Sequence, residues 1–563
     1  MAESAASILK RLTALRTVYG EDAAARKRDL LRRLSRRNLA RPDDLLSLHE
    51  CLCFWRAYPD DPALLADVET ALGRFAARAD LRRHAEALAG SGVAGTPVDY
   101  SFFWPTARWL AARWPERLTI DWDSFEQADQ DRLAGMLHLL VSYSETPALD
   151  MLDRSLREWI ELLKGPRETD AAFLIGRFAA LRGSTFDRET LFESFNVPFR
   201  LSPGRGTPSR THARFGKDPV AWQDRSLDRS RPKLRAELER PPRRVRVVPV
   251  RDARELIDLA RGAMVTRERD LEVFAQASPH DVRLVDCGGG LQLACIGAVP
   301  ERRLMLEAVY GFLTLKNGIP IGYVLASSLF ESTEVAYNIF ETYRGAEAAP
   351  VFGRVLAMIR HLFGARVFSI DPYQLGYGNA EGLQSGAWWF YYKLGFRPRD
   401  PEVLRVLRGE LAKMKRNPSH RSDAATLERL ASEYVFFDLD RSRRDVLGGL
   451  PLGNIGLRIA DYLAGRFGAE REKALRICSR EAADLLGVRL PGRFSRAERQ
   501  AWKRWGPLVL ILPGVKRWSP RTRRALAQVV KSKGGRREIG FIKRFDAHAP
   551  LRRAVLKLTE ETG

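Results

Sequence analysis

Gln384 to Pro398 reads QSGAWWFYYKLGFRP, a stretch whose residue types suit a binding site. An aromatic helical turn with Trp388, Trp389, Phe390, Tyr391 and Tyr392 runs into Lys393 and Leu394. It stops at Gly395, the residue type that tolerates a left-handed helix end. A strand-like VFSID at Val367 to Asp371 precedes it, then a polar, glycine-rich loop from Pro372 to Gly382; Phe396 opens an extended exit. Other reactive residue types are less well placed. His49, Cys51 and Cys53 suggest a metal, but residues two apart on a helix face different ways and no second ligand pair lies nearby, so buried cysteines are expected. Asp121 and Asp123 read as helix caps, and Trp104, Trp109, Trp114 and Trp122 as core. There is no P-loop, HExxH or GxSxG, and Gly288, Gly289 and Gly290 read as a turn.

The elements that must position that stretch follow from periodicity. The first two hundred residues read as helices, with Asp61 and Pro62 opening one. Leu133, Leu137, Leu140 and Val141 share one helical face, and Leu152, Leu156, Trp159, Ile160 and Leu163 another, around a turn at Thr146 and Pro147. Residues 201–244 are rich in proline, glycine and arginine and poor in aromatics, the composition of a linker. Then come a strand at Val245 to Val250, a helix over Asp252 to Ala277, and alternating strands at Val282 to Val285, Leu291 to Ile296 and Phe312 to Leu315. Asn317 and Gly318 signal a hairpin into Ile321 to Phe330, and Glu334 to Thr342 is a further strand. An amphipathic helix over Glu347 to Phe363 buries Val351, Val355, Ile359 and Leu362 and ends at Gly364. YVFFDL at Tyr434 to Leu439 supplies a last strand after an insertion from Asp400 to Glu433.

The predicted fold class is therefore mixed α/β, of the α+β kind. A helical domain (1–200), a Pro/Arg linker (201–244), a sheet domain (245–440) and a basic, mainly helical region (441–563) follow in order. The 93 Lys and Arg against 70 Asp and Glu give a net charge of +23, which favours an anionic partner: nucleic acid, an acidic surface or a phosphorylated small molecule. The N-terminus lacks the apolar core of a secretory signal, and the longest apolar run, near Leu508 to Leu512, is too short to span a bilayer. A cytoplasmic protein with reduced thiols is expected, since the five cysteines form no paired CxxC pattern.

The order of elements in 245–440, with SGAWWFYYKLGFRP and the junction FETYRGAEAA, resembles the Gcn5-related N-acetyltransferase superfamily. Gln384, Ala387, Phe390, Tyr391, Lys393, Gly395 and Phe396 follow the spacing of that family's helix-and-exit motif, with Gln in place of Asn. The resemblance implies acetyl-CoA or another acyl-CoA as donor, an amine acceptor, and Tyr391 as the acid that protonates the departing thiolate. A phenol with a pKa near 10 stays protonated at neutral pH and suits that role. It implies that Thr342, Arg344, Gly345, Ala346, Ala348, Ala349 and Gln384 hold the coenzyme.

A strand carboxylate, Glu334 or Glu341, would be the base, with Asn338, Gln374 and Asn379 facing the substrate. Glu347 departs from the family pattern, standing where glycine lets backbone approach the pyrophosphate. Turned away, its side chain leaves the helix start open; folded back, it caps the helix and competes with the phosphate.

From Arg493 to Lys557 the chain has 19 Lys and Arg against 3 Asp and Glu, an excess of 16. Trp502, Trp505 and Trp518 are interleaved with these cations, a pattern that suits either phosphate contacts with base stacking or a basic helical face packed through its tryptophans. Two functions are thus open: an acyltransferase, or a non-catalytic protein of the same fold docking on nucleic acid or another polyanion.

Overall fold

The computed structural model describes every residue except 1, 2, 21, 36, 217, 490–493 and 561–563. It is mixed α/β, 53% helical and 13% strand, with helical regions at both ends of the chain. Its residues divide into two compact units.

The first unit holds Met1–Leu227, Arg254–Gln276 and Lys316–Ile321. Asp61 caps the helix Pro62–Gly73 by accepting from the Leu64 N–H at 2.7 Å, as the Asp-Pro pair predicts. The two amphipathic helices expected around Thr146 are more broken than their periodicity implies, forming Gln127–Ala134, Leu137–Leu140, Thr146–Met151 and Leu156–Leu163. Leu133, Leu137, Leu140, Leu156 and Ile160 nonetheless share one core with Trp104, against which Trp109, Trp114 and Trp122 pack. Three antiparallel strands, Val98–Tyr100, Phe199–Leu201 and Leu118–Ile120, join this unit; three residues each is too short for alternation to be visible. Asp121 and Asp123 are not caps. A turn separates them from the next helix, whose cap position is Glu126.

The second unit holds Asp228–Ala253, Ala277–Leu315 and Gly322–Gly563. The nine-stranded sheet comprises β1 (Arg244–Val247), β2 (Ala277–Gly288), β3 (Leu291–Ala298), β4 (Ala308–Lys316), β5 (Ile319–Leu329), β6 (Ser332–Ile339), β7 (Val367–Ile370), β8 (Arg397–Pro398) and β9 (Val435–Asp438). Their spatial order is β8-β9-β7-β6-β5-β4-β3-β2-β1. β6 and β7 run parallel, while β9 pairs antiparallel with both β7 and β8. Asn317 and Gly318 turn the β4–β5 hairpin with positive φ of 50° and 78°, as predicted. The helix expected over 252–277, which from Arg254 on belongs to the first unit, is α1 (Val250–Val265), and it resumes only at Glu272–Ala275 after Glu268, which takes a φ of 51°.

Between β6 and β7 runs α2 (Ala348–Phe363). Eleven of its residues are buried, more than the four on its predicted apolar face, because a strap preceding β1 also covers it. A Cβ at Gly353 would lie 3.0 Å from Pro232 and 3.2 Å from Glu237 of that strap, so glycine permits the crossing. Arg354 anchors it with a buried ion pair to Glu237 at 3.0 Å. After β7 come α3 (Pro372–Leu375), α4 (Ala380–Ser385) and α5 (Ala387–Leu394), and α5 ends in left-handed Gly395. The insertion between β8 and β9 forms α6 (Pro401–Arg416) and α7 (Ala424–Leu430).

The C-terminal helices belong to this second unit and are tied to its sheet by buried charge. Asp281 of β2 accepts from the Tyr310 hydroxyl and the Glu538 N–H, both at 2.8 Å, with Arg283 at 3.3 Å. Arg303 donates to the carbonyls of Lys533 and Gly535 at 2.9 and 2.6 Å, and Lys533 pairs with Glu538 at 2.5 Å. Breaking one partner of such a buried pair costs about 3–5 kcal/mol. The Ser495–Glu498 capping box forms as predicted, while Arg493 lies outside the described residues. Trp502 and Trp505 are each only 1% exposed and build the core of these helices. Among the described residues no helix is long and apolar enough to cross a membrane.

Candidate functional site

β6 and β7 are joined by three residue pairs only: Val367 with Ser332, Phe368 with Thr333, and Ser369 with Glu334. β7 stops at Ile370, whereas β6 runs on to Ile339, and its residues 336–339 are half-buried. The two parallel strands therefore part beyond Glu334. The chain leaving β6 and the chain leaving β7 form two walls of a cleft of about 980 Å³. One wall is the start of α2 with its turn, Gly345, Ala346, Ala348 and Ala349; the other is Gln384 and Gly386 with Trp389 and Lys393 of α5. The insertion contributes His420, Arg421 and Ser422, and the strap contributes Arg229 and Arg231.

The start of α2 is built for close approach by an anion. Gly345 takes φ 82°, a conformation that strains any other residue. Glu347 occupies the N-cap, but its side chain makes no capping hydrogen bond, so it does not fold back over the helix start. The first amides of an α-helix have no intrahelical acceptor and carry the positive end of its dipole. Around them stand Arg229, Arg231, Lys393 and Arg421, none of which forms an ion pair among the described residues. Partial burial lowers the Lys393 ammonium pKa, and the charges of Arg231 and Arg421 push it the same way. With Arg229, these cations give the lining a positive charge that no carboxylate of the lining answers, which suits a phosphorylated ligand.

The insertion's rim is held by Glu410, 2% exposed, which accepts from Lys413 at 2.7 Å, Ser422 at 2.6 Å and His420 at 2.9 Å. Burial alone would raise its carboxyl pKa, but these three hydrogen bonds outweigh it and hold the group at about 2. Ser422 in turn accepts from the Trp389 indole N–H at 3.3 Å, linking the rim to α5.

Tyr391 faces away from the cleft and into the sheet. It is 3% exposed, edge-on to Phe352 at 5.5 Å and to Phe396 at 5.8 Å, and burial raises its pKa, so its proton stays on at neutral pH. It shares the Phe352 ring with Tyr337, which lies on the half of β6 beyond its last pairing with β7. Tyr337 packs on Phe352 at 4.9 Å and donates to the Ala348 carbonyl at 2.9 Å.

Glu334 projects from the opposite face of β6, because alternate strand residues point opposite ways. Burial raises its carboxyl to about 7, the charges of Asp371 and then Glu307 add to this, and the Tyr434 hydroxyl, donating at 3.2 Å, opposes it. A carboxyl that titrates near neutrality at the point where two strands part is suited to general-base work.

The other expected residues scatter. Glu341 is not on a strand: β6 ends at Ile339, and Glu341, itself exposed, opens the 3-10 turn Glu341–Tyr343. Thr342 is 1% exposed in that turn, and Arg344 pairs with Glu381. Asn338 lies on the Glu334 face of β6, opposite Tyr323. Asn379 caps α4, accepting from the Gly382 N–H at 3.1 Å and donating to the Tyr373 carbonyl at 3.0 Å, which occupies its side chain. Gln374 gives its N–H to Asp371 at 3.2 Å. Sequence reasoning missed Arg229, Arg231, His420, Arg421, Asp371, Glu307 and Tyr434 as site residues; their only early signal was the arginine density of 201–244. His49 and Cys53 do meet, at 3.7 Å, but in the core of the first unit with Thr211 2.9 Å from the His49 ring. Among the described residues no group of three or more His, Cys, Asp or Glu is placed to hold a metal ion.

Comparison with protein-family models, with curated proteins and with solved structures yields no match for the chain.

Proposed function

We propose that the second unit is an N-acyltransferase of the Gcn5-related kind that takes an acyl-CoA as donor and an amine as acceptor. The observation that carries this reading is the parting of β6 and β7 after three residue pairs, with a cationic cleft between the segments that follow them. The residues present suit the coenzyme: a helix start without a side-chain cap bond and four cations lining the cleft for its phosphates, and a gap between strands for its extended arm. The acyl thioester supplies an electrophilic carbonyl. Glu334 removes a proton from the acceptor ammonium so that a neutral amine attacks; as the C–N bond forms and the C–S bond breaks, Tyr391, met where the arm enters the gap beside Tyr337, gives its proton to the leaving sulfur, and the second proton shed by the nitrogen returns to the phenolate. The two groups stand on opposite sides of β6, so acceptor and donor approach from different faces.

The alternative, a non-catalytic protein docking on nucleic acid through its C-terminal helices, draws on the same surplus charge. Trp502 and Trp505 lend it no stacking surface, being buried. Calorimetric titration of the folded chain with acetyl-CoA and longer acyl-CoAs tests the proposal. Saturable heat with at least one of them is expected, and none with any would reject it.

A further inference from the structure

The face of β6 opposite α2 carries an imbalance that the chain's own residues leave unresolved. Glu334 lies in β6 between Ser327 of β5 and Ser369 of β7; Ser327 donates to Glu307, which precedes β4, and Asp371 follows β7 two residues after Ser369, so all three carboxylates reach one side. Each is half-buried, and among the described residues none of the three forms an ion pair, in a chain with a net charge of +23. Nearby cations are committed elsewhere. Lys533 reaches the main-chain carbonyl of Glu307 at 2.6 Å but pairs with Glu538, while Arg443 and Arg552 pair with Glu331 and Asp445.

A second observation is independent of charge. Ser369, 0% exposed, has a hydroxyl with no hydrogen-bond partner. Ser369 is the parallel partner of Glu334, so the two side chains stand on the same face about 4.8 Å apart at the backbone. A buried, unsatisfied hydroxyl costs about 1–3 kcal/mol, and a ligand with N–H donors would relieve it.

We infer that this face binds a small amine bearing at least two ammonium groups, one beside Glu334 and Ser369 and another at Glu307 or Asp371, which flank Glu334 on its β5 and β7 sides. The inference rests on the acyltransferase reading, in which the group beside Glu334 is the acceptor nitrogen. Ser327 donates to Glu307 at 3.0 Å and Asp371 caps α3, so both carboxylates are fixed before any ligand arrives. A monoamine would leave both flanking carboxylates unanswered.

The test is calorimetry on the full chain with spermidine, putrescine and butylamine, with and without coenzyme A, at near-physiological salt. Spermidine and putrescine are expected to bind at least about tenfold more tightly than butylamine. Glu307→Gln and Asp371→Asn, which keep the Ser327 contact and the helix cap, are each expected to weaken spermidine about tenfold. Equal affinity for butylamine and putrescine, unchanged binding by both variants, or no heat from any amine overturns the inference. Coenzyme A binding without diamine binding removes the inference and leaves the transferase reading standing. Diamine binding, weakened by both variants, without binding of any acyl-CoA does the reverse.

Discussion

On one side of β6, Tyr337 meets Phe352 and the α5 aromatics, beside a cleft ringed by Arg229, Arg231, Lys393 and Arg421. On the other side, three residues earlier, Glu334 meets Asp371, Glu307 and Tyr434. One strand separates a cationic, aromatic side from an acidic one, and the period-2 alternation of its side chains does the sorting. The C-terminal helices are a different case: they hold most of the chain's surplus charge, yet Lys533 among them is buried against Glu538, which Arg303 of the β3–β4 segment also meets. Net charge located the surplus, but only geometry separates cations left uncompensated from cations already employed.

The contrast across β6 can be broken at its hinge. Phe352 contacts Tyr337, Phe390, Tyr391 and Phe396, so Phe352→Ala is expected to cost about 3–5 kcal/mol of stability, read as a drop in the urea midpoint. A loss below about 1 kcal/mol would mean that these rings do not form the wall between the two sides.

The acidic side is tested by Glu334→Gln, expected to lower kcat/KM by about a hundredfold or more and to abolish its pH dependence near 7. In the native chain kcat/KM should rise about tenfold per pH unit below the Glu334 pKa of about 7 and then level off, because only the ionised carboxylate accepts a proton. The stability sign is opposite. A carboxyl raised from 4.5 to about 7 on folding favours the protonated native state, so that contribution is full below 4.5 and lost as pH rises through 7.

On the cationic side, Lys393→Ala and Arg421→Ala are each expected to weaken acyl-CoA binding about tenfold, with a smaller loss at high salt. Unchanged affinity in both would place the phosphates elsewhere. The smallest effects are shifts of the pH inflection. Asp371→Asn removes a repelling charge and should lower it below 7, while Tyr434→Phe removes a donor and should raise it. Movement in the same direction in both variants would contradict the assigned environment of Glu334.

Local elements were largely legible in the sequence, because short-range chemistry decides them. Gly395 and Gly364 ended their helices, Asn317-Gly318 turned its hairpin, and Ser495 with Glu498 capped its helix. Gln384, Gly345, Ala346, Ala348 and Ala349 line the cleft. What could not be read was assembled over distance. Glu307, Glu334, Asp371 and Tyr434 span more than a hundred residues and meet only through sheet register. Arg229 and Arg231 looked like linker because prolines surround them, yet the strap they belong to is ordered against α2. Glu341 missed its strand because β6 ended two residues earlier, a boundary that apolar alternation does not mark.

Amide hydrogen exchange with and without acetyl-CoA tests the cleft most directly. Added protection is expected at residues 345–351 and 384–394, where the walls leaving β6 and β7 face each other, and no change in the helices of 496–559. Protection confined to those C-terminal helices, or none anywhere at saturating ligand, would contradict an acyl-CoA site between the parted strands.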